Sequence, residues 1–181
     1  FAEELLTRVR RLPQVEAATI GVGGLPFGGP PSPYAIPGVS PAEDRRVRLH
    51  LVDEDYLRVL RVRLRRGRML SDRDVTAADH VAVINEATAA LWPAGVDPLG
   101  QRLTLDALVP PARSSARVPG TPSKDVTIIG IVASARNDGL RAEPQPAVLL
   151  PYTLIAPLQR TLAIRTTGDQ ALVVNDIRAQ L

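Results

Sequence analysis

Nucleophilic chemistry in this chain would have to pair a serine or threonine with one of two histidines, His50 and His80. Gly38-Val39-Ser40-Pro41-Ala42 has the outline of a nucleophile elbow. That device needs a strand entering the serine and a helix leaving it, whereas Pro37 and Pro41 flank Ser40. His50 alternates onto the arginine-bearing face of a strand-like run, and His80 stands at the start of a buried one, so both read as structural histidines. Ser40, His50 and His80 are therefore expected not to converge on a triad. Gly21-x-Gly23 follows a strand, where a dinucleotide-binding turn would lie. Pro26 takes the place of its third glycine, and no helix follows to receive a pyrophosphate. The sole lysine, Lys124, lies between Ser123 and Asp125, outside any phosphate-loop context.

Carboxylates and arginines offer two further chemistries. Asp72 and Asp74 make an acidic pair, but Thr76 stands where a third metal ligand is needed and no glycine turn follows. Asp53, Glu54 and Asp55 read as the N-terminus of a short helix, where negative charge complements the macrodipole. Between Arg58 and Arg68, six of eleven residues are arginine. They could grip an anionic partner. The alternation of Arg61, Arg63 and Arg65 with Val62 and Leu64 favours a solvated strand edge instead. No residue pattern calls for a catalytic site, a metal or a cofactor.

Composition sets the outer limits. The chain has 181 residues, 45% of them hydrophobic and 23% charged, enough apolar material for a packed core and too little charge for disorder. The apolar run from Val126 to Ala135 is half the length of a membrane-spanning helix. Glu3, Glu4 and Arg8 interrupt any leader-like stretch at the start. The absence of cysteine excludes disulfide scaffolds, thiolate metal sites and thiol catalysis. Six aromatic residues are too few for stacking along single-stranded nucleic acid, and no nucleic-acid partner is expected.

The elements that position these residues mix helix and strand without regular alternation, the pattern of an α+β fold. Phe1, Leu5, Leu6, Val9 and Leu12 predict a helix ended by Pro13. Strands are expected at 15–22, 47–51, 62–64, 81–84, 102–105, 126–132, 147–150 and 161–165. Gly21 to Pro41 and Ala107 to Lys124 read as long loops, the second joining a hairpin, and Ser71 to Asp74 as a polar turn. Asn85 caps a helix that reaches Trp92 and stops at Pro93, and Asp169 caps a final helix still amphipathic at Leu181. Helical character at both ends suggests a piece excised from something longer.

The motifs of the middle fall into one ordered series. Tyr56-Leu57-x-x-Leu60 leads to Leu64-x-x-Gly67-Arg68 and then to Asp72 and Asp74. Val81-x-Val83-Ile84-Asn85-Glu86 leads to Leu91-Trp92-Pro93 and to Asp97-Pro98-Leu99-Gly100-Gln101-Arg102-Leu103. Ile129-Gly130-Ile131-Val132, Glu143-Pro144-x-Pro146 and Leu150-Pro151-Tyr152 complete it. The series resembles the extracytoplasmic core domain of MacB-like, FtsX-superfamily ABC transporter permeases. Tyr56, Gly67, Arg68, Asn85, Glu86, Trp92, Pro93, Asp97, Pro98, Gly100, Gly130, Pro151 and Tyr152 are its structural positions, with turn, cap and strand-end roles.

The resemblance implies a porter-like α/β sandwich built from both chain ends, residues 1–66 and 159–181, with a small α/β-rich subdomain inserted at 67–158. It implies a non-enzymatic module that lies outside the bacterial inner membrane and transmits ATP-driven conformational change to a substrate or adaptor. Expected partners are the permease's own transmembrane helices, a second permease copy and, indirectly, a cytoplasmic ATPase. A periplasmic small-molecule sensor and an anion-binding domain using Arg58–Arg68 are the alternatives. In the permease reading, Val62–Leu64 and Thr161–Arg165 share one sheet, while Val81–Ile84 and Val126–Val132 belong to another unit. The terminal helices run antiparallel and bring both ends to one face within about 25 Å, with Arg8 and Arg10 in solvent and Leu5, Val9 and Leu12 packed.

Overall fold

Small and β-branched residues from Val15 to Gly21 form β1, which pairs antiparallel with β9 (Thr161–Thr166) as a two-stranded ribbon. The computed structural model describes residues 2–22, 29–40, 45–109, 122–135, 142–155, 160–167 and 170–178. Helix α1 (Ala2–Arg10) runs into β1, and α5 (Gln170–Arg178) leaves β9. Because the strands are antiparallel, both helices join the ribbon at one end, where the Thr167 amide donates to the Gln14 carbonyl at 2.9 Å. Phe1, Asp169 and Leu181, on which the expectations for capping and for the distance between the ends turned, lie outside the described residues.

The other seven strands form one sheet, in the order β4 (Leu64–Gly67), β7 (Asp125–Val132), β5 (Val81–Asn85), β8 (Ala147–Pro151), β3 (Arg46–Val52), β2 (Pro31–Ala35), β6 (Arg102–Leu105). Strand β6 also pairs with β7, so six of the seven close into a ring. Strand β7 makes this possible by dividing one edge. Its first residues, Asp125 to Thr127, take β6, and Gly130 to Val132 take β4. The alternating pattern then fills the interior: Leu103 and Leu105 of β6, Val126 and Ile128 of β7, and Leu49 and Leu51 of β3 are all buried. Helix α2 (Tyr56–Leu60) follows β3, α3 (Asp72–Thr76) follows β4, and α4 (Glu86–Ala89) follows β5.

The mixed α/β class is as expected, but three local expectations are corrected. Val62–Leu64 does not share a sheet with Thr161–Arg165; its strand, β4, pairs with β7, and β9 pairs with β1. The short arginine-rich segment has no apolar face to dock on the ribbon, and all four of its residues are exposed. The expected loop at Gly21–Pro41 contains β2, whose prolines mask its strand character. Ser32, its second residue, is fully buried, donating to the Pro33 carbonyl at 2.9 Å and accepting from the Ala107 amide at 3.2 Å. Ser71–Asp74 is not a bare turn but the start of α3, with Ser71 and Asp74 forming a reciprocal capping box. The seven-stranded sheet also draws strands from both sides of residue 66.

Candidate functional site

The most elaborate polar cluster lies where ribbon and barrel meet. Strand β1 passes β3 through a bridge between Val22 and Leu51, with amide–carbonyl distances of 2.7 and 2.8 Å. The next residues of β3 turn the chain into α2 and leave Asp53 pointing inward, 1% exposed. Thr19 Oγ1 donates to its Oδ1, the Ile20 amide to Oδ2 at 3.2 Å, and the Asp55 amide to Oδ1 at 3.1 Å. From α1, Arg10 reaches Asp53 at 3.1 Å, Glu54 at 3.2 Å and Asp55 at 2.9 Å, while its Nε donates to the Ala18 carbonyl at 3.2 Å. One guanidinium thus ties the first helix to both β1 and the β3–α2 corner.

This corrects two expectations. Asp53 does not cap α2: Asp55 holds the N-cap position, without a side-chain cap bond. Arg10 is only partly exposed, unlike Arg8 on the outer face. It lies four residues after buried Leu6, so helical spacing turns it toward the same packed face. Leu5 and Leu12 are only half-buried. Burial pushes Asp53 up to about 6, with the Glu54 charge adding to the effect and Thr19, Ile20 and Arg10 opposing it. Beside it opens a cleft of about 190 Å³ lined by Glu3, Arg10, Asp53, Glu54, Asp72 and Tyr152 among others.

Of the family-motif positions, Tyr152 alone lines this cleft. Its amide donates to the Val52 carbonyl at 3.0 Å, continuing the β3–β8 ladder that ends at Pro151, and Arg160 stacks 4.9 Å above its ring. Burial raises the Tyr152 phenol, with Glu3 adding to it. Tyr56 is buried beside His50, ring centroids 6.4 Å apart, and burial pushes its phenol up to about 12.

The remaining motif residues build the barrel. Gly67 has φ +69°, and a Cβ there would come within 2.3 Å of the Ile129 carbonyl oxygen; one on Gly130 would come within 2.1 Å of the Arg68 carbonyl oxygen. The two glycines let β4 and β7 touch. Arg68 then grips Asp74 with two bonds, at 2.6 and 3.0 Å, while the Ser71 amide and hydroxyl donate to the same carboxylate at 2.7 and 2.5 Å. These donors, Arg68 foremost, hold Asp74 well below the usual carboxylate range. Asn85 caps α4 by accepting from the Thr88 amide at 2.9 Å, and its Oδ1 and Nδ2 also bond to the Ala147 amide and the Gln145 carbonyl at 3.0 and 2.8 Å. Glu86 accepts from the Ser134 amide at 3.2 Å and pairs with Arg65 at 3.0 Å. Trp92 is buried, but α4 ends at Ala89 and does not reach it as expected; the Leu91 and Trp92 amides turn back to the Thr88 and Ala89 carbonyls before Pro93. Asp97 accepts from the Leu99 amide and pairs with Arg66, across a turn in which the Gln101 amide donates to the Pro98 carbonyl and Gly100 takes φ +77°.

Four arginines of the Arg58–Arg68 stretch therefore hold carboxylates: Arg61 with Glu16, Arg65 with Glu86, Arg66 with Asp97 and Arg68 with Asp74. His80 contacts the Asp125 carbonyl at 3.2 Å, in a different neighbourhood from His50. No group of three acidic or histidine side chains suited to a metal ion occurs among the described residues. Sequence reasoning missed Arg10 and Thr19 and misplaced Asp53. The one available signal was an acid placed directly after the alternating strand-like run Val47–Val52.

The chain is a mixed α/β domain with a two-stranded ribbon formed by its chain ends and a barrel of intervening strands. It is similar in fold to the periplasmic region of MacB from Actinobacillus actinomycetemcomitans, with TM-score 0.67 and 15% identity over 97% of this chain and 70% of that one. It is also similar to the extracellular domain of the noncanonic ABC-type transporter YknZ from Gram-positive bacteria, with TM-score 0.60 and 13% identity over 99% of this chain and 78% of that one. No curated protein sequence matches it. Residues 1–180 match the MacB-like periplasmic core domain, and the chain belongs to that family. It is the periplasmic domain of a MacB-like ABC transporter permease. No helix among the described residues is long and apolar enough to cross a membrane.

Proposed function

We propose that the domain transmits ATP-driven movement from the membrane to a substrate or adaptor outside it, without catalysing a reaction of its own. The observation that carries this reading is the meeting of α1 and α5 at one end of the β1–β9 ribbon, tied there by Thr167 and Gln14. Movement of either helix loads the ribbon, and the Val22–Leu51 bridge and Arg10 pass the load to the barrel. On this reading the permease's transmembrane helices continue the motion of α1 and α5. A cytoplasmic ATPase supplies the energy, and a second permease copy and an adaptor or cargo are the remaining partners. The working division of the domain is then ribbon with α1, α2 and α5 against the closed barrel.

The chain has no cysteine, so two introduced ones are unique labels within it. Asn175 on α5 and Gln101 before β6 are both exposed. Spin labels at these positions, in the permease reconstituted with its ATPase, report the separation of helix and barrel by pulsed electron resonance. The distance distribution is expected to shift between the nucleotide-free and the ATP-trapped states. Identical distributions in the two states would sink the reading.

A further inference from the structure

Helix α2 stands between two crossings of the chain, from barrel to ribbon at Asp53 and back again at Arg61. The helix itself goes with the ribbon: Val59 is buried, and its carbonyl accepts from Arg165 Nε of β9 at 2.8 Å. Two residues past Arg61 the chain is already in the barrel, where the Arg63 carbonyl accepts from the Ala133 amide at 2.9 Å. The two crossings are built differently. At the first, four donors from α1, β1 and the corner converge on the Asp53 carboxylate. At the second, Arg61 holds a left-handed backbone, φ 54° and ψ 36°, which glycine adopts freely and a residue with a Cβ adopts at a cost.

Little else fixes that conformation. The Arg61 and Val62 amides both donate to one carbonyl, that of Leu57, the Val62 bond at 3.1 Å. The Arg61 side chain reaches Glu16 of β1 at 3.6 Å, and both groups are exposed, so water screens the pair. Among the described residues Ala78 is the other non-glycine with positive φ, at 52°, but it joins α3 to β5 with both flanks inside the barrel. When ribbon and barrel shift against one another, the fastened Asp53 corner serves as the pivot, and the second crossing must absorb the change of direction. We propose that Arg61 is the hinge between ribbon and barrel: its strained left-handed state belongs to the resting domain and is released when the two units move. The proposal rests on the force-transmission reading and adds to it the residue at which the movement turns.

The spin labels at Asn175 and Gln101 test it in the reconstituted permease, with the ATPase made unable to hydrolyse ATP so that nucleotide occupancy is at equilibrium. The ratio of resting to moved molecules is read at the ATP concentration that moves half of the parent. Arg61→Gly is expected to raise that ratio roughly fivefold, because glycine holds the left-handed state without the penalty that arginine bears. Arg61→Ala removes the same charge but keeps a Cβ, and is expected to leave the ratio within about twofold of the parent. Ala78→Gly relieves the same kind of strain inside the barrel, so it is expected to stabilise the chain to urea and leave the ratio unchanged. A ratio unmoved in Arg61→Gly, or moved equally by Arg61→Ala or by Ala78→Gly, overturns the hinge, while the parent's own response to ATP keeps the force-transmission reading. A parent whose distances do not respond to ATP removes both.

Discussion

Two arginine–aspartate pairs in this domain have nearly the same parts and opposite electrostatics. Asp53 and Asp74 are both buried, each takes a bond from a neighbouring hydroxyl, and each faces an arginine. Yet Asp53 is pushed up to about 6, whereas Asp74 is held well below the ordinary carboxylate range. The difference lies in how the cation is shared. Arg68 gives Asp74 two short bonds, whereas Arg10 gives Asp53 one at 3.1 Å and divides the rest of its charge between Glu54 and Asp55. Desolvation then dominates at Asp53 and donor bonds dominate at Asp74. An arginine beside a buried acid does not by itself keep that acid ionised. The Asp74 pair fastens a loop within the barrel, and the Asp53 pair joins separate units.

That contrast can be broken most directly at Asp74. Asp74→Ala removes the capping box and leaves Arg68 without its carboxylate, and is expected to cost about 3 kcal/mol in urea unfolding of the chain. An unchanged midpoint would mean that the pair only decorates the surface. Thr19→Val should cost about 2 kcal/mol at neutral pH, because the buried Asp53 carboxylate loses its hydroxyl donor.

The opposite sign is expected for Asp53→Asn. A carboxyl raised from 3.8 to about 6 contributes stability that is fully present below 3.8 and is lost as pH rises through about 6. The neutral variant should therefore be more stable than the parent near pH 7.5, by up to about 3 kcal/mol. That advantage should fall by about half near pH 5 and close only below 3.8, as paired denaturation curves will show. Asp74 behaves in reverse: its contribution is present above 3.8 and is lost only at lower pH. A variant advantage that grows on acidification would refute the assignment at Asp53. The smallest effect belongs to Glu54→Gln. Removing that neighbouring charge should lower the Asp53 midpoint by less than about one unit in a carboxyl NMR titration; a midpoint that rises would show that Glu54 is not repelling it.

Much of the barrel was legible along the chain because its signals are local. Asn85 followed by Glu86 and an Ala-rich segment specifies a cap whatever lies around it, and Asp97-Pro98 with Gly100 specifies a turn by its own dihedral limits. The run Val126–Val132 is strand-like by composition alone. Gly67 and Gly130 were readable as special positions, though not as partners: their mutual approach depends on β4 lying against β7. Strand β2 escaped because Pro31 and Pro33 erase the alternation, and its place is set by β3 and β6 on either side.

By itself the sequence determined the mixed α/β class, the caps and turns of the middle, and the ordered motif series that identifies the family. Each of these rests on residues within a few positions of one another, where backbone sterics and nearest-neighbour hydrogen bonds decide. Only the tertiary structure decided that β6 and β7 close a ring, that β4 leaves the ribbon for the barrel, and that Asp53 turns from a helix end into a buried hub. Arg10 and Asp53 are 43 positions apart, and Thr19 and Asp53 are 34 apart. No local preference encodes such a meeting; it exists because burial of β1, β3 and α1 against a common core brings these side chains to one point.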